Sequence, residues 1–190
     1  MAQQVLQHVA KAITNPQQTA RIKTVLLKDN GIFPNNAHLP LLIYESALEL
    51  PRHDPASGFE TAFDSNGWNS SWRDIVYPYH HYHSTAHEAL GVFSGSALVL
   101  FGGDGGAEVE VKSGDLIIIP AGVAHKCLQS TRDFGVVGGY PPNQSPDMCY
   151  GKENERPSAD ENISRVALPD FDPIYYNTGP VFEFWHKSKR

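Results

Sequence analysis

Residues 81–95 read HYHSTAHEALGVFSG, and residues 114–125 read GDLIIIPAGVAH. In an extended chain, side chains two residues apart point to the same side, so His81 and His83 project together. Glu88 opens the next predicted strand in phase with apolar residues, where burying a carboxylate without a partner is very costly. Two imidazoles and a carboxylate are ligands that first-row divalent metals accept. The first stretch therefore predicts a metal site on the inner face of a β structure.

The second stretch predicts a hairpin that carries a further ligand. Residues 114–115 turn the chain, residues 116–119 form a strand, and residues 120–122 form a tight turn. His125 then opens the returning strand. Because two hairpins placed side by side can bring His125 to the first site, we predict a metal centre with four ligands: His81, His83, Glu88 and His125.

The rest of the chain favours an all-β, antiparallel fold. From residue 76 to 138, short apolar segments alternate with Gly-rich turns, a pattern typical of a sandwich or barrel. Short helices are predicted over residues 2–14 and around residues 59–63. Residues 140–168 predict a long surface loop or flap, and the aromatic residues 169–186 are expected to pack on the barrel. The predicted strands cover residues 22–27, 39–46, 76–83, 87–94, 96–101, 107–112, 115–119, 124–129 and 134–138.

Composition restricts the class of protein. The chain has 190 residues, 41% of them hydrophobic, which suits one compact, water-soluble domain over residues 1–190. A net charge of −6 argues against nucleic acid or an anionic membrane as a partner. Two cysteines make no disulfide framework, so a cytoplasmic location is expected. Residues 1–28 lack acidic side chains, as a transit peptide does, but we favour a surface helix followed by a strand.

Both quoted stretches resemble the two sequence motifs of the cupin superfamily (residues 81–95 and 114–129). The first motif has two histidines one residue apart, a glutamate five residues later and a glycine seven after that, matched by His81, His83, Glu88 and Gly95. The second is matched by Gly114, Pro120, Gly122 and His125, but Gln129 stands where the motif often ends in Asn. Residues 57–91 also resemble a group of largely uncharacterised single-domain cupins from bacteria and fungi.

The resemblance implies a particular architecture and a cofactor. Its fold is a jelly-roll-like β-barrel, or double-stranded β-helix, built from two antiparallel sheets, here with a short N-terminal helix and peripheral loops. Three histidines and a glutamate would hold one divalent transition metal, and a homodimer would be common. Iron(II) is favoured as the metal, while manganese, nickel, zinc, cobalt and copper also occur among cupins.

The reaction stays open at this point. Our leading hypothesis is a metal-dependent oxidoreductase of the dioxygenase type that acts on a small organic substrate. One alternative is a metal-dependent isomerase or epimerase for a sugar-like or carboxylate substrate, which needs no O2. The other is a non-catalytic cupin that binds a small molecule.

Three further residues are candidates for catalysis, and each has a structural alternative. Tyr79 shares the face of His81 and could donate a hydrogen bond to substrate, or could only pack. Cys127 should face the interior, either as a reactive thiol or as a small apolar group. Gln129 could form a polar wall of the pocket. His80 and His87 neighbour ligands and are expected to face outward.

Overall fold

A computed structural model describes residues 20–186, apart from the side chains of Ser70 and Ser71. Most of the regular secondary structure in this part of the chain is β-strand, which confirms the predicted all-β class. It also contains two α-helices, α1 (Pro55–Ser65) and α2 (Ser158–Arg165), a 3-10 turn (Glu153–Glu155) and a π-helical turn (Val181–His186). The strands are β1 (Arg21–Leu27), β2 (Asn36–Glu45), β3 (Asn69–Asp74), β4 (Glu88–Ser94), β5 (Ser96–Phe101), β6 (Ala107–Lys112), β7 (Leu116–Ile119), β8 (His125–Ser130) and β9 (Gly135–Tyr140).

The strands form two antiparallel sheets. The larger has the order β1-β2-β7-β4-β9-β3, and the smaller has the order β6-β5-β8. Their inner faces meet in one apolar cluster, to which β2, β4 and β7 contribute from the larger sheet and β5 and β6 from the smaller. Two facing antiparallel sheets with crossing connections are the jelly-roll-like arrangement that the resemblance to cupins implies.

Strand β7 is apolar at every position because both of its faces are buried. Ile117 and Ile119 belong to the interior cluster, whereas Leu116 and Ile118 point to the opposite face of the sheet. That opposite face is covered by α1 and by the C-terminal segment, so both sides of the strand are buried. A strand buried on both faces reads as a continuous apolar run instead of an alternating one.

The aromatic C-terminal segment packs on the larger sheet, as predicted. A second apolar cluster, called the outer cluster here, lies on the face of the larger sheet that points away from the interior. Val181 and Trp185 are fully buried in it with Tyr44 of β2. Trp185 Nε1 donates a hydrogen bond to the Pro40 carbonyl at 2.8 Å. Among the described residues 20–186, no helix is both long enough and apolar enough to cross a membrane.

Three local predictions differ from the structure. Residues 76–83 do not form the predicted strand, because only His81 and Tyr82 make isolated bridges. Strand β3 was not expected, since its sequence NSSWRD is polar, and a strand at the sheet edge needs no alternating apolar pattern. Helix α2 lies inside the predicted loop 140–168. The predicted helix 2–14 lies outside the described residues, as does most of the possible transit peptide.

Candidate metal centre

The structure brings the four predicted ligands together. Each of His81, His83 and His125 offers a ring nitrogen, and these nitrogens lie within 4.8 Å of one another. The Glu88 carboxylate completes the group, with Oε1 3.5 Å from His83 Nε2 and Oε2 3.4 Å from His125 Nε2. All four side chains are buried. This cluster could hold a metal ion.

Backbone pairing between three segments sets this geometry. His81 and His125 exchange two backbone hydrogen bonds, so the irregular segment before β4 lies directly beside the first residue of β8. The tight turn at Gly122 donates its N–H to the His83 carbonyl at 2.8 Å. Gly122 has φ +93°, and an added Cβ would lie 2.5 Å from the Asn35 carbonyl oxygen, so this turn requires glycine.

The orientation of each ligand imidazole is fixed by a backbone carbonyl. His81 Nδ1 lies 3.2 Å from the Tyr79 oxygen, and His125 Nδ1 lies 3.2 Å from the Val123 oxygen. His83 Nδ1 contacts the Asp147 oxygen. Because a carbonyl can only accept, each Nδ1 must carry its hydrogen, which leaves the Nε2 lone pair for a metal in the neutral ring.

The buried charges also suit a cation. Burial and the neighbouring His125 lower the pKa of His81 to about 3, so this ring is neutral near pH 7. Burial alone would raise the pKa of Glu88, but His83 and His125 hold it well below its ordinary value, so Glu88 is ionised. Burial opposes protonation of His83, yet the adjacent Glu88 raises its pKa. Glu88 therefore favours protonation of His83 in the metal-free cluster, and a metal ion bound at Nε2 would displace that proton.

One oxygen of Glu88 lacks a conventional partner. Tyr140 Oη donates a hydrogen bond to Oε1 at 3.0 Å, but Oε2 accepts none from the described residues although it is buried. A buried carboxylate oxygen without a donor is costly unless a cation lies next to it. Neutral imidazoles with free Nε2 atoms and this carboxylate therefore fit a divalent transition metal.

The cluster faces a cavity of about 280 Å³, and all four predicted ligands line it. The other wall residues are mostly apolar or aromatic and come from β3, from the segment that follows it, from β4 and β9, and from residues 146–148. They are Trp72, Asp74, Ile75, Val76, Tyr77, Leu90, Tyr140, Pro146, Asp147 and Met148.

A segment that the sequence predicts only as a flap also shapes the site. Asp147 supplies the carbonyl that contacts His83, while its carboxylate accepts hydrogen bonds from the backbone N–H and the hydroxyl of Ser84. Cys149 then pairs with Tyr82 through two backbone hydrogen bonds. Sequence reasoning missed Asp147 and Tyr140 as supports of the ligands, because neither lies in a recognisable motif.

The three candidate catalytic residues lie apart from the cavity wall. Tyr79 is 46% exposed and stacks on Tyr77, with its ring centroid 5.8 Å from that of His81. Cys127 is half-buried at the margin of the interior cluster, and Gln129 is exposed further along β8. Their proposed roles in catalysis stay predictions.

The two neighbouring histidines have different surroundings. His80 faces away from the cluster, with Nε2 3.2 Å from Asp104 Oδ1. His87 is not at the surface, since the C-terminal segment covers its side of the sheet and Trp185 lies against its ring. Its Nδ1 accepts a hydrogen bond from the Ala121 N–H at 2.9 Å, so His87 supports the turn before His125.

Two facing antiparallel sheets, with three histidines and a glutamate from the two motifs gathered at one cavity, are the arrangement that the resemblance to cupins implies. The fold is all-β and cupin-like. No protein-family model matches the sequence. The sequence is 42% identical over 165 residues to the uncharacterized protein YjlB of Bacillus subtilis (strain 168). The aligned residues make up 87% of this chain and 97% of YjlB. The chain belongs to the same family as YjlB.

Solved structures with a similar fold are more distant. A DUF861 family protein from Thermotoga maritima is 20% identical, with a TM-score of 0.31, over 48% of this chain and 94% of its own. The dTDP-6-deoxy-D-glucose-3,5-epimerase of Legionella pneumophila is 14% identical, with a TM-score of 0.32, over 63% of this chain and 71% of its own. Likeness this distant supports neither a substrate nor a reaction for this chain.

Proposed function

We propose that the protein is a metal-dependent oxidoreductase of the dioxygenase type, acting on a small organic substrate. The observation that carries this proposal is that all four candidate ligands line a cavity with mostly apolar walls. A ligand cluster buried without a cavity would suit a structural metal, whereas one that faces a cavity can meet a substrate.

His81, His83, Glu88 and His125 would hold the ion. When bound, a redox-active metal such as iron(II) supplies Lewis acidity and electrons for reaction with O2, and four protein ligands leave room for exogenous ones. The metal is part of the proposal, with iron(II) favoured over manganese, nickel, zinc, cobalt and copper.

The chain's own residues would prepare this centre. The Tyr140 hydroxyl restrains one oxygen of Glu88, and Trp72 Nε1 donates a hydrogen bond to that hydroxyl at 3.1 Å. The carbonyls at Nδ1 hold the imidazoles in one tautomer. The apolar walls formed by residues such as Leu90 and Val76 exclude water from the substrate, which strengthens electrostatic interactions inside the cavity.

Oxygen uptake tests the reaction class. Protein reconstituted with Fe(II) is incubated with a panel of small organic compounds while dissolved O2 is followed, beside the His81→Ala/His125→Ala variant. We expect O2 consumption that depends on one class of compound and is lost in the variant. Conversion of a compound without O2, by protein loaded with manganese or zinc, would instead establish an isomerase. Saturable binding without conversion would establish a binding protein.

A further inference from the structure

The charges on the cavity wall are acidic. Besides Glu88, the wall contains Asp74 and Asp147, and within the described residues it contains no lysine or arginine. Asp147 is half-buried, and its carboxylate accepts hydrogen bonds from the backbone N–H and the hydroxyl of Ser84. Apart from a bound metal ion, the cavity therefore offers a negatively charged substrate no compensating lysine or arginine.

The basic side chains nearest in sequence to the wall are engaged elsewhere. Arg73 follows Trp72 on β3 but points away from the cavity, where it pairs with Asp54 at 2.9 Å and with Glu60 at 2.5 Å. Lys126 follows His125 on β8, and its Nζ lies 3.8 Å from Asp104 Oδ1. Lys152 follows the 146–148 segment and lies over the Tyr150 ring, 5.2 Å from its centroid. None of these three residues lines the cavity. Arg73 is therefore not placed to bind an acidic substrate in the cavity.

Aromatic rings continue the wall outward. Tyr77 lines the cavity and stacks on Tyr79, with the ring centroids 5.1 Å apart and the planes 18° from parallel. Tyr150 lies 6.1 Å from Tyr79, and these two rings are 43% and 46% exposed. Large aromatic side chains left exposed beside a cavity provide flat surfaces on which a planar group can stack.

We propose that the cavity binds a small planar compound that is neutral or positively charged, and that it discriminates against carboxylates and phosphates. This inference rests on the proposed function, because it assigns a substrate class to the same cavity. A volume of about 280 Å³ accommodates a single substituted ring. An aromatic ring would stack along Tyr77, and Asp74 at the exposed edge of the wall would favour a cationic substituent.

Three probes with the same ring and different charges test this selectivity. Benzyl alcohol, benzylamine and benzoate are titrated into zinc-loaded and metal-free protein, and binding is followed by isothermal titration calorimetry. In metal-free protein we expect benzyl alcohol and benzylamine to bind at least about tenfold more tightly than benzoate, since unfavourable charge costs more than about 1.4 kcal/mol here. In zinc-loaded protein the carboxylate of benzoate can also bind the ion, so the order measured without metal is the one that tests the wall charges.

Two variants test whether the charge of Asp74 causes the preference for benzylamine over benzoate. Asp74→Asn keeps the side-chain shape and the acceptor for the Ile75 N–H while removing a charge, and should reduce the preference for benzylamine over benzoate about threefold or more. Glu108→Gln removes the charge of another exposed side chain, on β6 and outside the cavity, and should leave the preference unchanged.

The outcomes separate this inference from the proposed function. Benzoate binding to metal-free protein as tightly as the other two probes, or no probe binding to either form of the protein, would overturn the proposed substrate class and leave the metal centre intact. Failure to take up zinc at all would overturn the proposed function.

Discussion

The three ligand imidazoles owe their orientation to backbone carbonyls that no sequence motif specifies. The carbonyls of Tyr79 and Val123 lie two residues before His81 and His125, so local chain geometry provides them. The carbonyl at His83 comes instead from Asp147, 64 residues further along the chain. His87 differs from these three histidines, because its Nδ1 accepts a hydrogen bond from a backbone N–H instead of donating one to a carbonyl. It supports a turn.

Asp147→Ala tests whether this distant contact tunes the metal site. The substitution removes the carboxylate that binds Ser84, and should let the Asp147 carbonyl move away from His83. We expect the affinity for zinc to fall about 10- to 100-fold while the protein stays folded. Competition with a chromophoric chelator measures the affinity, and urea unfolding measures stability. Asp170→Ala, at an exposed position, is the matched control; equal affinity in both variants would contradict a supporting role for Asp147.

At the scale of elements, helix α1 packs closely on strand β4 because Gly91 has no side chain. Gly91 faces α1, and a Cβ placed there would lie 2.3 Å from the Phe59 ring. Phe59 is fully buried between the helix and the larger sheet. The glycine is therefore needed for the close approach of the ring, three residues after the ligand Glu88.

Gly91→Ala should destabilise the protein by about 1–3 kcal/mol, because the buried ring has little room to move. The same substitution in a Phe59→Ala background should cost close to nothing, since the clashing ring is absent. Urea unfolding of the wild type, both single variants and the double variant gives the coupling free energy. Equal costs of Gly91→Ala in the two backgrounds would show that the contact is not responsible.

Prediction from the sequence succeeded at this scale where a local pattern was strong. The short apolar segments and Gly-rich turns located β4 to β9, and the two motifs identified the four candidate ligands that the structure brings together. Strand β3 was not predicted, because an edge strand needs few apolar residues and its sequence is polar. The strand predicted over residues 76–83 was wrong. Aromatic residues and histidines alternate there as in a strand, but only two of these residues make bridges.

At the scale of the whole molecule, the C-terminal segment closes the outer face of the larger sheet. Its anchor is Asp172, which is fully buried and accepts a hydrogen bond from Tyr44 Oη at 2.7 Å. The same carboxylate also accepts backbone N–H groups of Ile174, Tyr175 and Val181. Composition predicted that this aromatic segment packs, but the anchor depends on a contact 128 residues apart, which no local pattern reveals.

Asp172→Ala should therefore destabilise the whole fold and not only its C-terminus. Removing the carboxylate leaves the buried Tyr44 hydroxyl and several N–H groups without their acceptor, at a cost of about 3 kcal/mol or more. Thermal unfolding followed by circular dichroism measures the loss. Tyr44→Phe, which removes one of these hydrogen bonds and leaves the anchor in place, should cost about 1 kcal/mol. A loss for Asp172→Ala no larger than that for Tyr44→Phe would contradict the anchoring role.

The metal content of the purified protein tests the central claim most directly. Protein produced without a histidine tag is analysed by inductively coupled plasma mass spectrometry, beside His81→Ala/His125→Ala and a control, His38→Ala/His53→Ala, that removes two exposed histidines. We predict about one transition-metal ion per chain in the wild type and the control, and almost none in the ligand variant. A wild-type protein that holds no metal, even after reconstitution with Fe(II), Mn(II) and Zn(II), would contradict the account.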